Sequence, residues 1–241
     1  MDSKEILPGM IVTRQKCVLI EEVMVIADLH IGYEAVLENE GIHMPRMQTA
    51  AIRDALIELV DRYEPDRIAV LGDFKHEFSR NLSQEWEDVR YLLSMMTEWA
   101  EVTLIRGNHD NYLANICSRM DIPLLDSTIL NGITLVHGHQ SCDSRPLLMA
   151  HEHPSIRLFD AVGAFIRLPC FLYDRGRKIV VMPAFSPLAM GTDLTMAGPD
   201  DFLSPLLKGE RTDSLEVYAC SDIGLLDMGT LSGLRSLGWR E

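Results

Sequence analysis

The chain has little positive charge, no paired cysteine motif and no long apolar run. Lys and Arg number 22 against 36 Asp and Glu, for a formal charge of −14. Phosphate contacts need Lys and Arg to displace counterions, so so acidic a chain is a poor non-specific binder of nucleic acid. The five cysteines (Cys17, Cys117, Cys142, Cys170, Cys220) are odd in number and form no C-x-x-C pair. That argues against a disulfide scaffold or a zinc ribbon and for buried thiols in a reducing compartment. No stretch approaches a membrane-spanning length of apolar residues. The opening M-D-S-K-E-I-L-P-G lacks a basic segment followed by an apolar one. A cytoplasmic protein with no membrane partner is therefore expected. With 241 residues, 47% of them apolar, a substantial core can be buried. No internal repeat, low-complexity tract or linker interrupts the chain, so residues 1–241 read as a single domain.

What is present is a set of apolar strands that stop at Asp or His. Leu104–Asp110 reads L-I-R-G-N-H-D, a strand delivering an amide, an imidazole and a carboxylate into a turn at its carboxyl end. Ligands of open α/β sheets usually sit at such ends. The same pattern recurs in V-M-V-I-A-D-L-H (23–30), I-A-V-L-G-D (68–73) and I-T-L-V-H-G-H (133–139), and H-E-H-P (151–154) adds two imidazoles. Of eight histidines only His43 falls outside or away from these blocks, and none follows His153. In Asp28-x-His30 a strand-end period of two places carboxylate and imidazole on one side, where both can reach one cation. In Gly107-Asn108-His109-Asp110 the glycine permits a sharp turn, the Asn oxygen can coordinate a metal, and Asp110 can orient His109. Each block alone also fits an ordinary turn or solvated loop. Together they point to one metal centre.

The remaining pattern supplies the elements. Short β-rich runs cover Met10–Thr13, Val18–Ile20 and Val23–Ala27, the last two joined in a hairpin across Glu21-Glu22. Met47–Tyr63 presents Ile52, Ala55, Leu56, Leu59, Val60 and Tyr63 at helical spacing, and Pro65 stops it. Arg67–Leu71 is a buried-type strand, Gln84–Ala100 a helix with Ser83 as N-cap, Val102–Ile105 a strand and Tyr112–Arg119 a short helix. Thr128–Leu130 and Ile133–Val136 flank Asn131-Gly132, a two-residue hairpin signal. Ala164–Tyr173 and Lys178–Met182 form a further hairpin candidate. A loop-rich Pro183–Pro199, a short helix at Asp201–Leu207 and a strand at Glu216–Cys220 follow. This order implies an α/β fold with a mainly parallel sheet that turns antiparallel later.

The series D-x-H, G-D, G-N-H-D, H-G-H and H-x-H resembles, in order, the calcineurin-like metallophosphoesterase superfamily across about residues 23–155. G-D-F-K-H-E-F (72–78), A-H-E-H-P-S (150–155) and P-A-F-S-P-L (183–188) are similar to a narrower branch, the archaeal phosphoesterases related to the SbcD nuclease and the bacterial DNA-ligase-associated phosphoesterase PdeM. Many superfamily members carry glycine where this chain has Ala150. The resemblance implies a four-layer sandwich of two mixed β-sheets flanked by helices. It also implies one metal on Asp28, His30, Asp73 and His153, and another on Asp73, Asn108, His137 and His151. Asp73 would bridge the two through both its oxygens, and a metal-bridging hydroxide would attack phosphorus. His109 would stabilise the developing charge or protonate the leaving oxygen. Mixed O/N donors without thiolate suit two divalent ions, Mn²⁺ first, then Fe²⁺ or Zn²⁺.

His76 and His139 are left between substrate contact and support of other ligands, and Arg106 between phosphate contact and a salt bridge. Arg167, Arg175, Arg177 and Lys178 read as a solvated basic hairpin, and Tyr33 and Phe74 as packing residues. Three functions fit: a phosphodiesterase acting on nucleic acid or nucleotides, a phosphomonoesterase for a small molecule or phosphoprotein, and a non-catalytic module of a DNA-repair assembly. The branch resemblance favours the first, with a phosphoester substrate. The sequence names no protein partner.

Overall fold

In the computed structural model, which describes all residues except 44, 78–82, 160–161, 190 and 238–241, four short strands open the chain as an antiparallel meander. These are β1 (Ser3–Leu7), β2 (Met10–Thr13), β3 (Val18–Ile20) and β4 (Val23–Ile26). β1, an edge strand with no apolar alternation strong enough to announce it, was not expected. Helix α1 (Tyr33–Asn39) follows in a region for which the sequence suggested no element, and α2 (Gln48–Tyr63) takes the expected place. The Glu34 carboxylate in α1 accepts the Met47 and Gln48 N–H groups at 2.7 Å each, satisfying donors that an α-helix leaves open at its start. β5 (Arg67–Leu71), α3 (Ser83–Trp99), β6 (Glu101–Ile105), α4 (Leu113–Arg119) and β7 (Leu124–Leu125) complete the first half. α3 already begins at Ser83, the residue expected to cap it, and Phe78 of the 72–78 segment lies outside the described residues.

Strands β1 to β7 lie in sequence order in one sheet, antiparallel to β4 and parallel from β4 onward. The second sheet contains β8 (Ser127–Leu130), β9 (Ile133–Val136), β10 (Leu147–Met149), β11 (Ser155–Phe159), β12 (Phe165–Asp174), β13 (Ile179–Val181), β14 (Glu216–Ser221) and β15 (Gly224–Thr230). It is parallel only across β9, β10 and β13. The expectation of one sheet changing character is thus replaced by two sheets, each mixed. The Asn131-Gly132 hairpin forms as read, with both residues at positive φ (46° and 73°).

Strand alternation decides where each side chain goes. Val23 and Val25 face the second sheet, while Met24 and Ile26 face the helices; Ala69 and Leu71 face inward, Ile68 and Val70 outward. From the other sheet Leu148, Val180, Phe171 and Tyr218 meet them in the shared core. Ile52, Leu56 and Leu59 of α2 and Val89, Leu93 and Met96 of α3 cover the first sheet. Leu194, Phe202, Leu207, Leu215 and the helix α5 (Leu231–Leu237) cover the second. This gives four layers. The expected helix at Asp201–Leu207 is instead a 3₁₀ turn at Pro199–Asp201 followed by turns. Pro205 lies inside it, and the residue before a proline is pushed away from helical dihedrals.

Candidate metal centre

The parallel strands of both sheets end on one side, and the Asp- and His-bearing blocks lie in the turns just beyond. β4 stops at Ile26, so Asp28 and His30 are not the strand-end pair that the period of two suggested. Both are left-handed (φ 55° and 48°), as are Asp73 (48°), His151 (71°) and His153 (47°). Non-glycine residues in this region cost about 1–3 kcal/mol each and persist where surrounding structure enforces them. The cost is met by backbone pairing: Asp28 N donates to Gly72 O, and His30 N to Asp73 O. Segment 183–188 straps the first turn from the far side, with Phe185 N on Ala27 O and Ser186 N on Asp28 O. Two glycines are required by crowding. A Cβ at Gly72 would enter the His137 ring, and one at Gly107 would overlap the Asp73 carboxylate.

Three groups among the described residues could hold a metal ion: Asp28 with His30 and His153, Asp73 with His137 and His151, and His30 with His76 and His109; the first two contain the expected donors. In the first, His30 Nε2 lies 3.2 Å from His153 Nε2, and Asp28 Oδ2 lies 3.3 Å from His153 Nε2. In the second, His137 Nδ1 faces the Leu71 carbonyl at 3.0 Å. That turns Nε2 toward Asn108 Oδ1 (3.1 Å), His151 Nδ1 (3.1 Å) and Asp73 Oδ2 (3.2 Å). Asp73 Oδ2 is also 3.8 Å from His30 Nε2, so one oxygen faces both groups. Asp73 Oδ1 accepts the His109 N–H at 2.8 Å, which leaves it a second lone pair.

These atoms crowd a volume with more lone pairs than protons. Asp28 Oδ1 is buried and has no hydrogen-bond partner among the described residues. Divalent cations fit this donor set, because cationic charge satisfies facing imidazole nitrogens and carboxylate oxygens together. Without one, protons substitute. Burial pulls the His137 imidazole down, but the Asp73 hydrogen bond and the Asp28 and Asp73 charges outweigh it and raise its pKa to about 9. Burial alone dominates at His30, lowered to about 3, while His151 drops to about 4 through burial and the nearby His137 charge.

A third histidine group surrounds the first. His76 Nδ1 meets His30 Nδ1 at 3.1 Å, its ring stacks on Tyr33 at 3.9 Å between centroids, and its carbonyl engages His109 Nδ1. Tyr33 therefore packs on a site residue, and Phe74 lies wholly in the helix-side core. Asp110 does something other than orient His109. Its Oδ1 accepts the Phe74 N–H at 2.9 Å and its Oδ2 the Gly107 N–H at 2.7 Å, tying the G-D and G-N-H-D turns together. Burial and the Asp73 charge push its pKa up to about 6. Arg106 stands 3.5 Å from Asp126, and His139 lies half-buried beside His137. The basic hairpin is solvated, with Arg175 and Lys178 exposed, and its arginines pair locally: Arg175 on Glu216, Arg177 on Asp174, and Arg167 on Ser155 and Gly191. His43 is exposed and belongs to none of these groups.

Two supporting residues escaped the sequence reading. Gln48 Nε2 reaches the His30 carbonyl (2.8 Å), the Leu29 carbonyl (3.3 Å) and Ser186 Oγ (3.0 Å), bracing the first turn from α2. Glu152, fully buried between two ligand candidates, accepts Thr192 Oγ1 and the Leu203 and Ser204 N–H groups. Its place in H-E-H was the available signal; Gln48 left none. Ala150 donates its N–H to the His137 carbonyl and packs its methyl between the sheets, so the departure from glycine is absorbed there.

Among solved structures, the nuclease MPE of Pseudomonas putida superposes with a TM-score of 0.62 at 24% identity, over 88% of this chain and 92% of that one. YfcE, a phosphoesterase from E. coli, matches at TM-score 0.42 and 16% identity over 81% and 87% of the two chains. AQ665 of Aquifex aeolicus, described as of unknown function, gives 0.36 and 18% over 54% and 77%. No curated protein matches the sequence. The likeness to MPE supports the fold. Residues 22–203 match the calcineurin-like phosphoesterase family, a span that contains every donor above. The chain thus belongs to the calcineurin-like phosphoesterases, metal-dependent hydrolases of phosphoesters.

Proposed function

We propose that this chain is a binuclear phosphodiesterase acting on nucleic acid or nucleotides, with residues 1–241 forming one catalytic domain. The observation that carries the reading is Asp73 Oδ2 facing His30 Nε2 and His137 Nε2 together, as a ligand shared by two cations would. Asp28, His30, His153 and Asp73 would hold one ion, and Asp73, Asn108, His137 and His151 the other. When bound, two such ions supply Lewis acidity toward the phosphoryl oxygens and acidify a water. Oxygen and imidazole donors without thiolate favour Mn²⁺, with Fe²⁺ or Zn²⁺ as substitutes.

The chain's own groups do the rest. The His76 carbonyl fixes His109 Nδ1, which assigns the proton exchanged with the leaving oxygen to His109 Nε2. Asp110 holds the turn that carries His109 and Asn108 against the turn that carries Asp73. The diester preference, and kinship with the SbcD-related and PdeM branch, are supported by segments 72–78, 150–155 and 183–188, the last of which straps the Asp28 turn. A structural relative described as a nuclease is in keeping with it. Five free thiols support a reducing, cytoplasmic setting, and no helix among the described residues is long and apolar enough to cross a membrane.

Hydrolysis of bis-p-nitrophenyl phosphate and p-nitrophenyl phosphate, compared with Mn²⁺ added, tests the reading. Faster turnover of the diester is expected. A strong preference for the monoester would make the protein a phosphomonoesterase, and background rates on both would favour a non-catalytic module.

A further inference from the structure

We propose that the cavity beside His137 seats the neighbouring nucleotide of a phosphodiester chain, with Arg106 holding the phosphate next to the one being cut. This rests on the phosphodiesterase reading, adds to it a subsite and narrows its substrate to a polynucleotide. The cavity measures about 330 Å³, and His137 and Gly138 form part of its wall, so it adjoins one of the turns that carry the candidate donors. The remaining wall includes Arg106, Ser127, His139, Gln140, Ser141 and Ser144. Most small-molecule pockets are lined by apolar side chains with a few polar groups. This one presents chiefly hydroxyls, an amide, an imidazole, a single guanidinium and the Asp126 carboxylate, with Val136 and Cys142 as its apolar part. Such a wall suits sugar hydroxyls and base edges, which arrive with their own donors and acceptors, and offers little to an apolar alcohol. His139 Nδ1 is a buried atom of this wall with no hydrogen-bond partner among the described residues.

Arg106 supplies the charge. Its side chain is 42% exposed, and Asp126, 3.5 Å away, is 92% exposed. An ion pair that open to water contributes only about 0–1 kcal/mol, so a phosphate can compete for the guanidinium and take it in bidentate fashion. Arg106 is also two residues before Asn108 in the motif, and two residues of chain span at most about 7 Å. That keeps its backbone within about one nucleotide step of a phosphate at the metal centre. With a formal charge of −14 the molecule draws no polyanion from a distance. Recognition must then come from local contacts of this kind.

The test uses the Mn²⁺-loaded protein with a short single-stranded oligothymidylate and with bis-p-nitrophenyl phosphate, which has no second phosphate. Arg106→Ala should raise KM for the oligonucleotide about tenfold more than for the small diester, and Arg106→Lys should recover part of that difference. The slope of log KM against log salt for the oligonucleotide should fall by about 0.7, one phosphate contact on a single strand. Asp126→Ala, which removes the competitor, should lower that KM by about two- to threefold. Equal changes for both substrates, or Asp126→Ala raising KM as Arg106→Ala does, would overturn the subsite and leave the phosphodiesterase reading standing. Wild-type protein that cleaves p-nitrophenyl phosphate alone would overturn both.

Discussion

His137 receives opposing instructions from burial and from the carboxylates around it, and the carboxylates win, lifting its pKa to about 9 in the metal-free protein. The folded state therefore holds a proton that the unfolded chain, near 6.5, releases earlier. The stabilisation is complete below about pH 6.5 and is lost as pH rises through about 9, amounting to about 3 kcal/mol from this group. Metal-free protein should thus lose stability between pH 6.5 and 9 in denaturant titrations. Mn²⁺ should flatten that loss, because a bound cation replaces the proton. Pronounced alkaline loss that Mn²⁺ leaves unchanged would contradict the placement of His137 in the metal centre. His109 is different: it belongs to neither of the two carboxylate-bearing groups, so His109→Asn should cut kcat by about 10²- to 10⁴-fold with both metals retained in elemental analysis. At this scale the sequence was informative wherever side-chain chemistry was distinctive. Seven of its ligand candidates, Asp28, His30, Asp73, Asn108, His137, His151 and His153, converge. Asp110 was harder to read, because an acid beside a histidine in sequence faces backbone amides in space.

Elements were legible where apolar period and stop signals agreed. The face of α2 built on Ile52, Leu56 and Leu59 and the buried run of β5 appear as read. The reading failed at the turns that carry the candidate donors, where left-handed dihedrals follow no propensity and are imposed by contacts distant in sequence. Gln48 is such a contact: it opens α2, yet its amide braces the Leu29 and His30 carbonyls and Ser186. Gln48→Ala should weaken metal binding on the His30 side by about 10- to 100-fold in calorimetric titration, as loss of outer support does in metal sites. A lower melting temperature with unchanged affinity would mean that Gln48 serves α2 alone.

At the scale of the whole molecule, two sheets share one core, and that arrangement was visible in the sequence only through family resemblance. Strands β10, β11 and β15 have short or broken alternation and owe their pairing to partners far along the chain, so local pattern could not place them. The same architecture separates stability from chemistry. Leu148 points between the sheets while the turn after β10 carries His151 and His153. Leu148→Ala should cost about 2–5 kcal/mol in equilibrium unfolding, and the folded fraction should still bind two ions. Loss of metal stoichiometry from the folded variant would show that the core and the site are not separable in this way.

Anomalous diffraction at the manganese edge from Mn²⁺-soaked crystals, on wild type and Asp73→Ala, bears most directly on the shared carboxylate. Wild type should show two peaks about 3.5–4 Å apart with the Asp73 side chain between them, and Asp73→Ala should show neither at full occupancy. A single peak in wild type, or two full peaks surviving in Asp73→Ala, would contradict it.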